Sequence, residues 1–444
     1  MRYLFSILVC LVSASLIKAQ KGDSIILRLQ SINNTITDIP CGSVDAAAIS
    51  NRAMNIFLSD KTGYVNAKSD LSLFTNYVTF NTSESRLTVN HNFQEATGAD
   101  DPIKKLFSIG LSINIPNNYA SAFLDYRHET GLGLIAGYKW LGKVKTRFAD
   151  CTVYQNKASQ KQTMDALRAG IVNALASEIN NKEADFKTSL NTIDKEGVHG
   201  LNSDSVKAII KQNFYEELNE SSDEKFATLQ AETLTKTNSF KLITTHWTAI
   251  QCYVPVVFSK YSVAPSLSEA FQSEKSYPFE LTINHTRLWE SSTKGRFFAT
   301  FGGGILLNNS KYSYSLDKVN YAEYKIMGGS YTQHDEELKN DKAFLGDYDN
   351  FITPSLQCRM VYFPVEYHLG ISILVQQNFG SYNFLNTRIG IPVVLINSKK
   401  TPAVTFEFYV SLTDLTSKAD PAKEPVNKAM AGLSVGIPLS RLMY

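Results

Sequence analysis

The chain has 444 residues, 19% of them charged and 43% hydrophobic, with a formal net charge of +2. That balance leaves no electrostatic footprint for nucleic acid, and a mean hydropathy of −0.15 argues against a helical membrane protein. Charged residues fall below the roughly 25% of ordinary globular chains, as they would if apolar positions occupied every second residue of many strands.

Residues 1–19 read as a secretory signal. Arg2 supplies the positive end, Leu4 to Ile17 the apolar stretch, and Ala19-Gln20 a small-residue cleavage point. The apolar run is too short to span a bilayer. Cys10 lies inside it behind Val9, where a lipoprotein signal needs a small residue, so no lipid anchor is expected. Cys41, Cys151, Cys252 and Cys358 match no metal or redox spacing. Export permits a disulfide; isolated small apolar residues are the plainer reading.

Residues 20–70 form a lead-in, expected in the periplasm, with one short helix over 43–57 on the spacing of Ala46, Ile49, Ala53, Ile56 and Phe57. Alternation then sets in. Residues 107–116 read F-S-I-G-L-S-I-N-I-P, with Phe107, Ile109, Leu111, Ile113 and Ile115 on one face and Ser108, Gly110, Ser112 and Asn114 on the other. Strands are predicted over 71–80, 86–93, 105–115, 119–127, 132–140 and 145–154.

Alternation stops over 158–237. Met164, Leu167, Ile171, Leu175 and Ile179 mark one amphipathic helix. Ser203 reads as an N-cap before a second stripe of Val206, Ile209, Ile210, Phe214 and Leu218. Strands resume over 240–258, 279–289, 296–307, 312–326, 355–363, 366–376, 382–396, 402–410 and 432–439. Single-chain bacterial barrels have an even number of strands, so the weakest segment, 71–80, is set aside, leaving about 14. The fold expected is an all-β transmembrane antiparallel β-barrel: first strands within 71–157, a helical insertion at 158–237, and the remaining strands within 238–444.

Counted back from the C-terminus, alternate connections are short (398–401, 364–365, 308–311, 141–143, 116–118) or long (412–431, 327–354, the helical block, 94–104). Short periplasmic turns and longer outer loops follow this rule, which puts the helical block outside the cell. Trp140, Tyr138, Phe406, Phe408 and Tyr409 suit the membrane interfaces.

With its leader, its alternating strands and a terminal aromatic, Tyr444, the chain resembles Gram-negative outer-membrane β-barrel proteins. The resemblance covers residues 71–444 apart from the helical block. It implies a cell outer-membrane location, outer-membrane lipid as surroundings, and a last strand read by the barrel-assembly machinery. Tyr444 stands out of phase with the apolar face of Leu433, Val435, Ile437 and Leu439. Two strands share a Gly-Ile-Pro core, at Gly390-Ile391-Pro392 and Gly436-Ile437-Pro438, read as a strand-end device because proline cannot donate to a ladder. No plug domain precedes the strands, which argues against a TonB-dependent receptor.

Little in the sequence carries chemistry. Asn284-His285-Thr286 with Ser291 and Ser292 resembles the Ser and His of an outer-membrane phospholipase, yet the compact His-x-Ser-Asn-Gly run is missing. Gly302-Gly303-Gly304 lies inside a strand without a following Lys-Ser/Thr, so close packing or a bend is expected rather than a phosphate loop. His128, His246, His285, His334 and His368 are scattered. Asp335-Glu336-Glu337 with Asp347 and Asp349 matches no EF-hand and reads as a solvated loop. No catalytic residue, cofactor or metal is assigned.

Opposite the apolar faces lie Asp125, Arg127, Lys139, Glu280, Arg296, Arg359, Glu366, His368, Arg388 and Glu407. A charge facing lipid at midplane costs about 2–4 kcal/mol for Arg or Lys, so these point inward, in a channel obstructed by the lead-in. The function expected is a porin-like channel or a surface-binding protein with an unknown soluble ligand. A barrel lipid hydrolase and a secreted all-β binding protein remain the alternatives.

Overall fold

The computed structural model describes residues 22–35, 49–62, 75–82, 86–94, 102–114, 132–148, 157–196, 204–236, 240–256, 259–310, 316–327, 334–365, 368–381, 383–397, 402–416 and 429–441. The leader, Cys41, Cys151, the strand expected at 119–127, Asp125, Arg127, Glu366 and Tyr444 lie outside them. The chain divides into two compact units, Met1–Phe57 with Thr146–Lys241, and Leu58–Lys145 with Leu242–Tyr444.

The first unit is helical: α1 (Gly22–Thr35), most of α2 (Asn51–Lys61), α3 (Lys157–Glu196) and α4 (Asp204–Lys236). Ile25 and Leu29, one turn apart on α1, are buried against Val172, Leu175 and Ile179 of α3 and Leu218 and Phe226 of α4. Two such turns are too short a stripe to stand out in a sequence, and α1 was not anticipated. Polar contacts orient the helices. Arg28 reaches Asn219 at 2.9 Å and pairs with Asp223, which Arg52 also approaches at 3.7 Å. Ser50 caps α2, its Oγ accepting from the Ala53 N–H at 3.3 Å and donating to Gln230 at 2.7 Å. Tyr215 donates to Glu183 at 2.7 Å; burial and that carboxylate push its hydroxyl up to about 12. Leu175→Ala should therefore cost this unit about 2–5 kcal/mol. A lowered melting temperature of the helical circular-dichroism signal would register it, and an unchanged melt would contradict this core.

The second unit is built of strands: β1 (Thr75–Asn81), β2 (Arg86–Gln94), β3 (Lys105–Asn114), β4 (Leu132–Leu141), β5 (Lys145–Phe148), β6 (Phe240–Pro255), β7 (Ser259–Ala264), β8 (Gln272–Ser276), β9 (Glu280–Ser291), β10 (Gly295–Asn309), β11 (Asp317–Met327), β12 (His334–Leu345), β13 (Asn350–Phe363), β14 (Ile371–Asn378), β15 (Leu385–Ile396), β16 (Pro402–Leu412) and β17 (Ala429–Arg441). Twelve of them, β1 to β4, β6, β9, β10 and β13 to β17, close an antiparallel barrel. The first and last strands seal it, from Thr75 opposite Arg441 to Asn81 opposite Ser434. β4 meets β6 directly, and β5 flanks β6 as an extra strand. β7, β8, β11 and β12 form a separate four-stranded sheet in which β12 and β7 run parallel.

Four expectations are corrected. The segment set aside, 71–80, holds β1, the strand that closes the barrel. Its ladder with β17 has a register shift between Asn76 and Tyr77, where Leu439 of β17 is the extra residue beside Pro438; a bulge is where a ladder tolerates proline. The segment 145–154 contributes only β5, outside the closed ring. The segment 312–326 contains β11, which belongs to the second sheet. Residues 259–276 and 327–354, expected as loops, supply β7, β8 and β12. Period-two alternation marks a strand but not the sheet it joins.

Because neighbours in the ring are antiparallel, the rims follow from the order. One rim carries the start of β1, the end of β17, the turns at 292–294 and 397–401, and the junction between β4 and β6 that holds the helical insertion. The opposite rim carries 115–131, 413–428 and the connections that form the second sheet.

Candidate functional site: the barrel lumen and its mouth

The wall is inside out relative to a soluble protein. Outward positions hold Phe107, Ile109, Leu111 and Ile113 of β3, Phe301 and Ile305 of β10, Ile371 and Ile373 of β14, Ile389 and Ile391 of β15 and Phe408 and Val410 of β16, all exposed. Phe301 reaches 63% exposure, within a contiguous apolar belt and not as an isolated residue. Inward positions of the same strands hold Ser108, Ser112, Thr300, Ser372, Arg388, Thr405 and Glu407, all buried.

Buried polar side chains demand partners, and the lumen supplies them across the wall. Gln357 of β13 donates to Asn284 of β9 at 2.6 Å, although β10 lies between them. The residue of β10 opposite both is Gly302, where a Cβ would collide with the Asn284 amide. Glycine there lets two side chains meet over an intervening strand. Gly390 of β15 repeats the device under the bond from Ser372 of β14 to Glu407 of β16. Around the same arc the Arg388 guanidinium lies 3.9 Å over the Tyr409 ring, and Tyr409 donates to Asn81 at 2.6 Å. Elsewhere Thr286 and Thr300 bond at 2.9 Å, Asn92 N–H donates to Asn76 at 2.7 Å, and Arg86 stacks 5.5 Å from the Tyr253 ring centroid.

At the rim with the start of β1, the lumen turns apolar. Leu288, Phe298 and Val361 form one inward row across β9, β10 and β13, each at most 1% exposed. Just beyond them, Glu290 and Arg296 bond at 3.1 Å. The last turn of α2 is fastened here: Lys61 Nζ lies 3.0 Å from Glu290, and Arg296 donates to the Lys61 carbonyl. Leu58 and Thr62, on either side, are 2% and 1% exposed. The lead-in thus enters the mouth as a helix end carrying a cation onto an inward carboxylate.

The second unit is a closed antiparallel β-barrel with an apolar outer belt. No family model matches the chain, and no curated protein does. Among solved structures it is similar to the NanC porin, at 5% identity over 83% of this chain and 100% of that chain, with a TM-score of 0.28. It is also similar to the β domain of the Bordetella autotransporter BrkA, at 7% identity over 83% of this chain and 98% of that one, with a TM-score of 0.26. Likeness at this level adds nothing to the strand pairing, which shows the fold by itself.

Of the residues expected inside the barrel, Lys139, Arg359, Arg388 and Glu407 are buried on inward positions, and Glu280 and Arg296 share that face. His368 sits exposed at the rim in the turn before β14, where Arg296 and Lys61 act on it electrostatically. The hydrolase constellation is not assembled. His285 Nδ1 lies 3.0 Å from Thr248 Oγ1 on the outer wall, whereas Ser291 Oγ accepts from the N–H groups of Thr293 and Lys294 in the β9–β10 turn. Six residues of strand, roughly 20 Å, separate the pair. The two Gly-Ile-Pro cores are not strand ends either. Pro392 lies just past the β14 ladder, where the Gly370 N–H donates to its carbonyl and no proline N–H is needed, and Pro438 sits beside the bulge where β17 pairs with β1. Lys61 and Glu290 went unnoticed, since neither stands in a motif and only closure of the ring brings them together.

Proposed function

We propose that this chain is an integral outer-membrane protein whose barrel is shut at rest and whose work is done at the surfaces it carries on its two rims. One observation bears most of the weight: inward side chains bury and bond one another while outward ones are apolar and exposed. A secreted soluble protein would have to leave that outer belt in water, at about 25 cal/mol for each Å². An open porin would leave its inward polar groups wet, whereas Asn81, Asn92, Thr286 and Thr405 are 0% exposed. The expected outcome is recovery with the outer-membrane fraction, solubility only in detergent, and a gel mobility that shifts on boiling. Recovery in the soluble periplasmic fraction without detergent would sink the proposal.

A further inference from the structure

The outer wall carries a polar cluster. On β6 and β9 the outward positions from mid-strand toward the rim that carries the start of β1 hold His246, Thr248, His285 and Arg287, where β3 holds Phe, Ile and Leu. The two imidazoles are 5.6 Å apart, and Arg287 lies 5.1 Å from the Trp289 ring centroid. Lys145, at the start of β5, joins His285 and Arg287 in acting electrostatically on His246. Gly142 makes room for the His246 ring, which a Cβ would strike. Among the described outward positions of the barrel strands there is no Asp or Glu beside His246, His285 and Arg287.

We propose that His246, His285, Arg287 and Lys145 bind the phosphate of an anionic phospholipid headgroup. The inference rests on the membrane reading above. Position along the strand supports it: Arg287 lies four residues from the rim end of β9, beside Trp289, and Lys145 opens β5. Trp140 stacks edge-on to Tyr138 at 4.6 Å, an aromatic pair suited to the headgroup level. Cations at midplane would be costly, whereas at the interface they meet lipid phosphates. Thr248 Oγ1 engages His285 Nδ1 at 3.0 Å, which leaves Nε2 to meet a phosphate oxygen. Arg287 supplies the planar donor fork that phosphates favour.

The test folds purified protein into vesicles of phosphatidylethanolamine alone or mixed with phosphatidylglycerol. It then counts, by mass spectrometry, the lipid that stays bound after mild detergent extraction. Wild type should retain phosphatidylglycerol over phosphatidylethanolamine, and Arg287→Gln should lose about fivefold of that preference, the worth of one basic residue at an anionic surface. The combined His246→Ala, His285→Ala and Arg287→Gln variant should lose it entirely. His91→Ala, on the outer face of β2, should keep it. Equal retention of both lipids, or a preference untouched by the triple variant, overturns the site while leaving the barrel in the membrane. Inorganic phosphate binding through the same residues without any phosphatidylglycerol preference overturns the lipid assignment. Protein that floats with neither vesicle overturns the membrane reading and this site with it.

Discussion

In planar bilayers the intact protein is expected to show no large steady conductance, and removal of residues 20–70 should produce resolved openings. Eight strands enclose just enough space for their own side chains, and sixteen to eighteen leave an aqueous channel. A ring of twelve stands between, so its state depends on what occupies it. Two things do. Wall side chains bond across the lumen at Asn284–Gln357 and Ser372–Glu407. At the mouth, Lys61 and Arg296 hold Glu290 from two sides, next to the apolar row of Leu288, Phe298 and Val361. Deleting residues 20–70 also removes Ile25 and Leu29 from the helical core, so a finer variant is needed. Replacing residues 58–61 with a Gly/Ser stretch of equal length keeps that core and removes the fastening. Both changes should raise conductance, the deletion more. A large conductance in the intact protein, unchanged by either, would rule out a barrel shut at its mouth.

Much of the fold is legible in the sequence, because a membrane barrel imposes period two on every crossing. Ile371, Ile373 and Val375 alternate with Ser372 and Leu374 for the same physical reason that Phe107 to Ile113 alternate with serine and glycine. Ring membership is not legible. β11 alternates no worse than β10, and its place in the second sheet depends on β12, which follows it, pairing in turn with β7, which is distant in sequence. β1 alternates worse than strands outside the ring, yet it supplies the seal. The lumen charges could be read from the cost of facing them to lipid; their partners could not. Arg388 finds Tyr409, and Tyr409 finds Asn81, only because β15, β16, β17 and β1 are consecutive around the ring.

The rim order reverses the side expected for the helical insertion, and epitope tags read that reversal directly. Counting 312–326 as a full crossing placed the insertion among the long outer loops. β11 pairs with β12 in the second sheet, so one crossing between the insertion and the C-terminus is lost and the parity shifts by one. β4 then ends, and β6 begins, on the rim where β1 starts and β17 finishes. That rim also carries the tight turn at 292–294 and the short connection between β15 and β16, whereas, the insertion apart, the opposite rim carries the longer connections and the second sheet. Short turns face the periplasm in bacterial barrels, so both criteria agree. A tag at Gly197 or Gly200 should be invisible to antibody on intact cells and become accessible once the outer membrane is opened. A tag within 417–428, between β16 and β17, should behave in the opposite way, since that connection lies on the other rim. Antibody binding at Gly197 on intact cells, with none within 417–428, would mean that the barrel inserts with its termini outward. Binding at both sites on intact cells would break the ring order itself, because the two connections leave opposite ends of every strand between them.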